Sequence, residues 1–194
     1  MLQSKQQIMD SVQQALSAKR WLHTTGVVST AIELAQRYGA NPDEAELAAI
    51  VHDVAKYWPT KQMEQTIREQ QLDVDVLAYD KQLWHAPAGV FVAKSEYGIT
   101  NEDILNAIRY HTTGRAHMSL LEKIIWVADY IEPGRSFPGV DNFRKQSKID
   151  LDGTLLAGLE ATIIFLQSKG KTVYPGTLAA RDWLAEQVNN VNND

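Results

Sequence analysis

The chain has 194 residues, 44% hydrophobic and 22% charged, which is long enough for one domain with a full core and ordinary for a globular protein. Its net charge of −5 provides no general positive field, so a long nucleic acid is not an expected partner. It contains no cysteine, which excludes disulfides, thiolate ligands, iron–sulfur clusters and a cysteine nucleophile; any metal must be held by nitrogen and oxygen.

The opening residues, MLQSKQQIMD, lack the apolar stretch of a signal peptide, and no later run reaches the roughly 18 apolar residues of a membrane span. A cytoplasmic protein without a membrane partner is expected. Ile8, Val12 and Leu16 mark one face of a first helix. A second runs from about Arg20 to Tyr38 and carries His23, with Gly39 placed to close it. A third has Asn41 as cap, Pro42 in the first turn and Glu44 at the capping-box position, and it sends Leu47, Ile50, Val51 and Val54 to the core. His52-Asp53 is expected to stand on that helix.

Pro59-Thr60 opens a shorter helix to about Gln70, and a variable connection leads to His85, at the entrance of a helix that Gly98 stops. Thr100 with Asp103 and Ser119 with Glu122 match further caps, and the helices they open end near His111 and Ile131. A loop from Pro133 to Val140 follows, then a helix from about Asp150 to Lys169 and a last one opening near Thr177. With helical period throughout, no repeat and no linker, the expectation is an all-α, single-domain, irregular helical bundle over residues 1–194.

Within that bundle His52-Asp53 is the most informative pair, with His23 upstream and His85, His111 and Asp129 downstream. Imidazoles and carboxylates can bind a transition metal and generate hydroxide at neutral pH. Burying His52 and Asp53 beside Val51 and Val54 without a partner costs several kcal/mol, which coordination offsets; a buried His–Asp hydrogen bond is the alternative. Asp129 interrupts the apolar stretch Trp126 to Ile131 near a helix carboxyl end, where negative charge opposes the macrodipole and a cation relieves it. His23 completes the set, although a backbone carbonyl could equally satisfy it.

Lys56, a helical turn beyond His52-Asp53, is placed to stabilise charge on a phosphoryl group. His111-Thr112-Thr113-Gly114-Arg115 gathers hydroxyls, a permissive backbone and a guanidinium, and Arg135 adds a second guanidinium close to Asp129. These are donors suited to a polyphosphate.

In order, His23, His52, Asp53 and Asp129 resemble the HD-domain superfamily of metal-dependent phosphohydrolases. More narrowly, "HDVAK" at 52–56, "HTTG" at 111–114, "ADYIEPGR" at 128–135 and, more loosely, "TVYPGT" at 172–177 resemble the YqeK-type HD hydrolases. That resemblance spans roughly Arg20 to Tyr174, with a metal core at about 20–135 and carboxyl-terminal helices at about 150–190 packing on it. It implies a symmetrical bis(5'-nucleosyl)-tetraphosphatase, in which metal-bound hydroxide splits diadenosine tetraphosphate into two ADP.

It further implies iron, as one ion or two, on His23, His52, Asp53 and Asp129, with manganese or another divalent transition metal also acceptable. His85 and His111 either complete a two-metal centre or touch the nucleotide. Asp53 and Lys56 are the catalytic candidates. Arg20, His85, His111, Thr112, Thr113, Gly114, Arg115, Arg135 and Tyr174, together with Arg144, are the candidate substrate contacts, and a homodimer is left open. Two rivals are another HD reaction, on a mononucleotide or a cyclic nucleotide, and a noncatalytic helical module that keeps the pair for stability.

Overall fold

A computed structural model describes residues 3–191, in which ten α-helices and two short 3-10 helices occur and no strand. The all-α expectation is borne out. Helix α1 (Lys5–Ala15) begins with a full capping box between Ser4 and Gln7. Helix α2 (Ala18–Tyr38) starts at Ser17 and ends at Gly39, whose φ of +78° is the left-handed conformation that glycine adopts without steric cost. Helix α3 (Pro42–Val51) has Asn41 accepting from the amides of Asp43 and Glu44.

The remaining helices are α4 (Thr60–Glu69), α5 (His85–Ser95), α6 (Glu102–Tyr110), α7 (Leu120–Ile131), α8 (Val140–Gln146), α9 (Leu151–Ser168) and α10 (Pro175–Val191). The cap of α6 is Asn101, not Thr100 as expected: its side chain accepts from the amides of Asp103 and Ile104. Asparagine one residue later satisfies those two orphan donors itself, so the Thr-x-x-Asp spacing is not used. Helix α8 carries too little apolar periodicity to be anticipated, and Asp73 to Leu83, the variable connection, is tightened into the two 3-10 helices.

Helices α3 and α7 form the centre. Ala45, Ala48, Ala49, Ile50 and Val51 of α3 are buried, and the three alanines let α2 pack closely. Helix α7 is buried nearly all round through Leu121, Ile124, Ile125, Trp126, Val127, Ala128 and Ile131, and it is enclosed by α2, α3, α6 and α9. Helix α10 closes over α9. The consequence for the site is topological: the exit of α3, the entrance of α5, the exit of α6 and the last turn of α7 come together beside the first turns of α2.

At Gly158 in α9, an added Cβ would lie 2.8 Å from Cζ3 of Trp126, whose ring stacks on Tyr130. The Gly158→Ala variant is therefore expected to lose about 1–3 kcal/mol, because α7 and α9 must separate. Urea denaturation measures it, and an unchanged midpoint would contradict the close packing. No helix among the described residues is long and apolar enough to cross a membrane.

Candidate metal centre

Helix α3 ends at Val51, one residue before His52, so the pair stands on the exit of the helix and not within it as expected. The amide of His52 still bonds Ala48 (2.9 Å), but then Val54 bonds Val51 (3.0 Å), Lys56 bonds Asp53 (2.9 Å) and Trp58 bonds Ala55 (3.0 Å). These i→i+3 bonds wind the chain tighter than an α-helix ahead of Pro59, which disfavours continuation. The tightened turn aims His52 and Asp53 at one corner. His85 begins α5, where Pro87 in the first turn costs no hydrogen bond, and His111 caps the carboxyl end of α6.

Asp53, 2% exposed, organises the corner, and its two oxygens face different partners. Oδ2 lies 3.1 Å from Nε2 of His52, 3.6 Å from Nε2 of His23 and 3.0 Å from Nη1 of Arg20. Oδ1 lies 3.0 Å from Nε2 of His85, 3.7 Å from Nε2 of His111 and 3.9 Å from Nζ of Lys56. Asp129 completes the first side, with Oδ1 3.0 Å from Nε2 of His23. His85 and His111 meet through their Nε2 atoms at 3.0 Å.

Three histidines have their other ring nitrogen tied down. Nδ1 of His52 donates to the Ala49 carbonyl (2.6 Å) and Nδ1 of His111 to the Ile108 carbonyl (2.7 Å). A carbonyl only accepts, so in the neutral ring the proton is on Nδ1 and the Nε2 lone pair faces Asp53. Nδ1 of His23 meets Oε1 of Glu132 at 3.0 Å. Glu132 is buried; its Oε2 accepts from the Gly134 amide, and a Cβ at Gly26 would stand 2.5 Å from that oxygen. Gly26 thus makes the space that Glu132 occupies.

Glu132 and Gly26 escaped the sequence reading. Glu132 sits, like Asp129, at a helix carboxyl end where negative charge opposes the dipole, and that same signal marks it. As a carboxylate behind a histidine it fixes ring orientation and raises basicity. Glu132→Ala is expected to weaken metal binding about ten- to a hundredfold, as measured by competition with a chelator. Unchanged affinity would show that His23 needs no such support.

Electrostatics follow the geometry. Burial lowers the pKa of His85 to about 4, so it is neutral near pH 7. Burial also opposes charge on His52, yet the adjacent Asp53, helped by Asp129, raises its pKa above the ordinary imidazole value. Burial disfavours ionised Asp53, but His52, His111 and His85 hold its carboxyl well below the usual range. Asp129, likewise opposed by burial, is held down by His23 and Arg135. Burial depresses Lys56, and Asp53 partly counters this.

The remaining sequence candidates divide. Arg135 joins the corner: its guanidinium pairs with Asp129 and its Nε donates to the Asp129 carbonyl at 2.8 Å. This supplies a cation against the α7 dipole, as the position of Asp129 requires. Arg115 instead forms a bidentate pair with buried Glu122 (2.7 and 2.6 Å), and Arg144 donates to the carbonyls of Ile131, Glu132 and Arg135. Thr112 and Thr113 line a small recess with Arg109 and Tyr174, and the Tyr174 hydroxyl donates to Asp75 at 2.7 Å. Gly114, at φ +63°, turns the chain tightly against Ala180 of α10. His117 packs on Trp183.

The donor set fits a metal. Nε2 of His23, Nε2 of His52 and Oδ1 of Asp53 are buried without a properly directed hydrogen bond, although unpaired buried polar atoms are costly. Ligand atoms of His23, His52 and Asp129 lie within 4.8 Å of one another, as do those of His52, Asp53 and His111. A divalent cation would satisfy these lone pairs, and the all-nitrogen-and-oxygen set suits a borderline transition metal. Beside the corner opens a cleft of about 810 Å³ bordered by His23, Arg20 and Arg135, a volume of the size that takes small-molecule ligands.

Helices that gather histidine and aspartate around one buried corner, beside a cleft edged with arginine, define the class of helical histidine–aspartate metal sites. The HD domain profile matches residues 20–134, more than half of the chain, and the chain belongs to that family. The symmetrical bis(5'-nucleosyl)-tetraphosphatase of Bacillus subtilis (strain 168) is 46% identical over 181 residues, covering 93% of this chain and 97% of that protein. The protein of the same name from Halalkalibacterium halodurans is 52% identical over 169 residues, covering 87% and 90%. A crystal structure from Clostridium acetobutylicum, described as a predicted HD superfamily hydrolase involved in NAD metabolism, superposes with a TM-score of 0.92 at 41% identity, covering 96% and 100%.

Proposed function

We propose that this chain is a metal-dependent hydrolase that cleaves diadenosine tetraphosphate symmetrically into two ADP. The observation that carries the reading is the convergence of His23, His52, Asp53 and Asp129 from three separate elements, with Nε2 of His23, Nε2 of His52 and Oδ1 of Asp53 buried and lacking a directed hydrogen bond. The near-full-length likeness to two symmetrical tetraphosphatases selects the substrate. In this reading His23, His52, Asp53 and Asp129 would hold iron, with manganese or another divalent ion accepted, and His85 and His111 would either help to hold a second ion or touch the nucleotide. When bound, the metal supplies Lewis acidity and a water acidic enough to attack at neutral pH.

The chain's own groups do the rest. Asp53 divides the corner, Oδ2 toward His23 and His52 and Oδ1 toward His85 and His111, and so stands between the two pairs of histidines where a carboxylate can orient the attacking water. Asp53, Asp129 and Glu132 are matched in number by Arg20, Lys56 and Arg135, so the charge of a bound cation stays uncompensated until a polyanion enters. Arg20 and Arg135, at the cleft wall, are placed to bind phosphate oxygens. Lys56, 3.4 Å from the ring nitrogens of His85, is placed to neutralise charge that builds on the transferring phosphoryl group. Central attack on the tetraphosphate leaves ADP on either side.

Chromatography of the products from metal-loaded protein and diadenosine tetraphosphate tests the reading. ADP as the sole nucleotide product is expected. AMP with ATP would contradict it, and phosphate release from a mononucleotide with no attack on the dinucleotide would favour another HD reaction.

A further inference from the structure

The cleft beside the metal corner extends along α2 past the groups assigned above to the corner. Lys19, Leu22, Gly26 and Ser29 face it from α2 at steps of three, four and three residues, Pro133, Gly134 and Arg135 form the other wall, and Tyr57 stands at its edge. Leu22 is 72% exposed and Tyr57 is 56% exposed. Single exposed apolar residues are ordinary, but these two share one cleft, next to a site built for a polyphosphate.

Tyr57 is also held in place. Its hydroxyl accepts a hydrogen bond from Oγ of Ser17 at 3.0 Å, the residue that caps α2. Arg20, one turn into α2 and beside the Tyr57 hydroxyl, reaches Oδ2 of Asp53 at 3.0 Å. The cleft wall therefore runs from aromatic ring to guanidinium to metal corner, the order base, phosphate, scissile centre in a nucleotide. A ring pre-oriented by its hydroxyl offers a flat face without losing much side-chain freedom on binding.

Building on the polyphosphate reading above, we propose that Tyr57 and Leu22 form the stacking platform for one nucleobase of the substrate. Adenine lies against the Tyr57 ring and Leu22 covers apolar surface beside it, while Arg20 holds the attached diphosphate. Stacking uses the π-face that every base shares, so this platform accepts guanine as readily as adenine.

Calorimetry on metal-loaded protein, with ADP and inorganic pyrophosphate as the two probes, tests this without turnover. Because stacking on an aromatic ring is lost, the ratio of ADP to pyrophosphate affinity should fall about tenfold or more in the Tyr57→Ala/Leu22→Ser variant. Tyr57→Phe, which keeps the ring but loses the Ser17 bond, should retain most of the wild-type ratio and fall far less than the double variant. A double variant with an unchanged ratio would overturn the platform, including the case in which both ligands weaken in parallel. Failure of the enzymatic reading is separate, since it shows as wild-type protein that yields no ADP from diadenosine tetraphosphate.

Discussion

Replacing Asp53 by alanine is expected to reduce turnover about a hundred- to a thousandfold or more and to leave purified protein without its metal. Asp53 meets six members of the corner: Arg20, His23 and His52 on one oxygen, Lys56, His85 and His111 on the other. Its loss removes a ligand and also leaves buried cationic and polar groups without a counter-charge, which typically costs about 3–5 kcal/mol. Metal-free variant should therefore melt below metal-free wild type. Asp53→Asn keeps the shape but not the charge, and should lose metal while retaining more stability than Asp53→Ala. Elemental analysis, kcat and thermal melts of the three proteins give the comparison, and a metal-replete, active Asp53→Ala protein would contradict the assigned role.

Metal affinity should rise with pH across the neutral range. In the metal-free protein the Asp53 and Asp129 carboxylates hold a proton on His52 above the ordinary imidazole range, and coordination at Nε2 requires that proton to leave. Binding therefore releases a proton below the pKa of His52, so apparent affinity increases about tenfold per pH unit there and levels off above it. His85 adds nothing to this slope near neutrality, since burial keeps it neutral down to about pH 4. In the stability of the metal-free protein His52 contributes the opposite dependence, while His85, kept neutral by burial, contributes stability that grows as pH rises from about 4 to the unfolded imidazole value. A raised folded-state pKa stabilises the fold fully below the unfolded value, and that stabilisation is lost as pH rises through the folded value. Chelator competition at a series of pH values measures the first slope and urea unfolding of the stripped protein the second. A metal affinity flat across pH 6–8 would show that His52 carries no displaceable proton.

The elements legible in the sequence are those with local causes. Asn41, Ser119 and Asp150 cap their helices through their own side chains, so those starts can be read from short windows, whereas Ser17 caps α2 ahead of the Arg20 start that the pattern predicts; Ile8 and Val12 mark a core face by period alone. The His23, His52, Asp53 and Asp129 set is legible because ionisable groups inside apolar helical segments are costly unless they meet. What stayed hidden depends on long-range packing. The pairing of Arg115 with Glu122 arises because Glu122, recognisable only as a capping residue, is also fully enclosed. Arg144 is drawn to the carbonyls of the loop after α7 because that loop, rich in proline and glycine, leaves them without helical partners. The helix-end signal marks Glu132 as an unusual carboxylate, but its partners, Gly26 and His23 of α2, come to it only through packing. The tight turn at His52-Asp53 is a boundary effect ahead of Pro59 that periodicity does not resolve.

Anomalous diffraction from crystals loaded with iron or manganese tests the central claim most directly. A peak should lie within bonding distance of Nε2 of His23, Nε2 of His52 and the carboxylates of Asp53 and Asp129, with any second peak on the His85 and His111 side of Asp53. A loaded crystal in which those four side chains bond only to one another, with the metal elsewhere or absent, would contradict it.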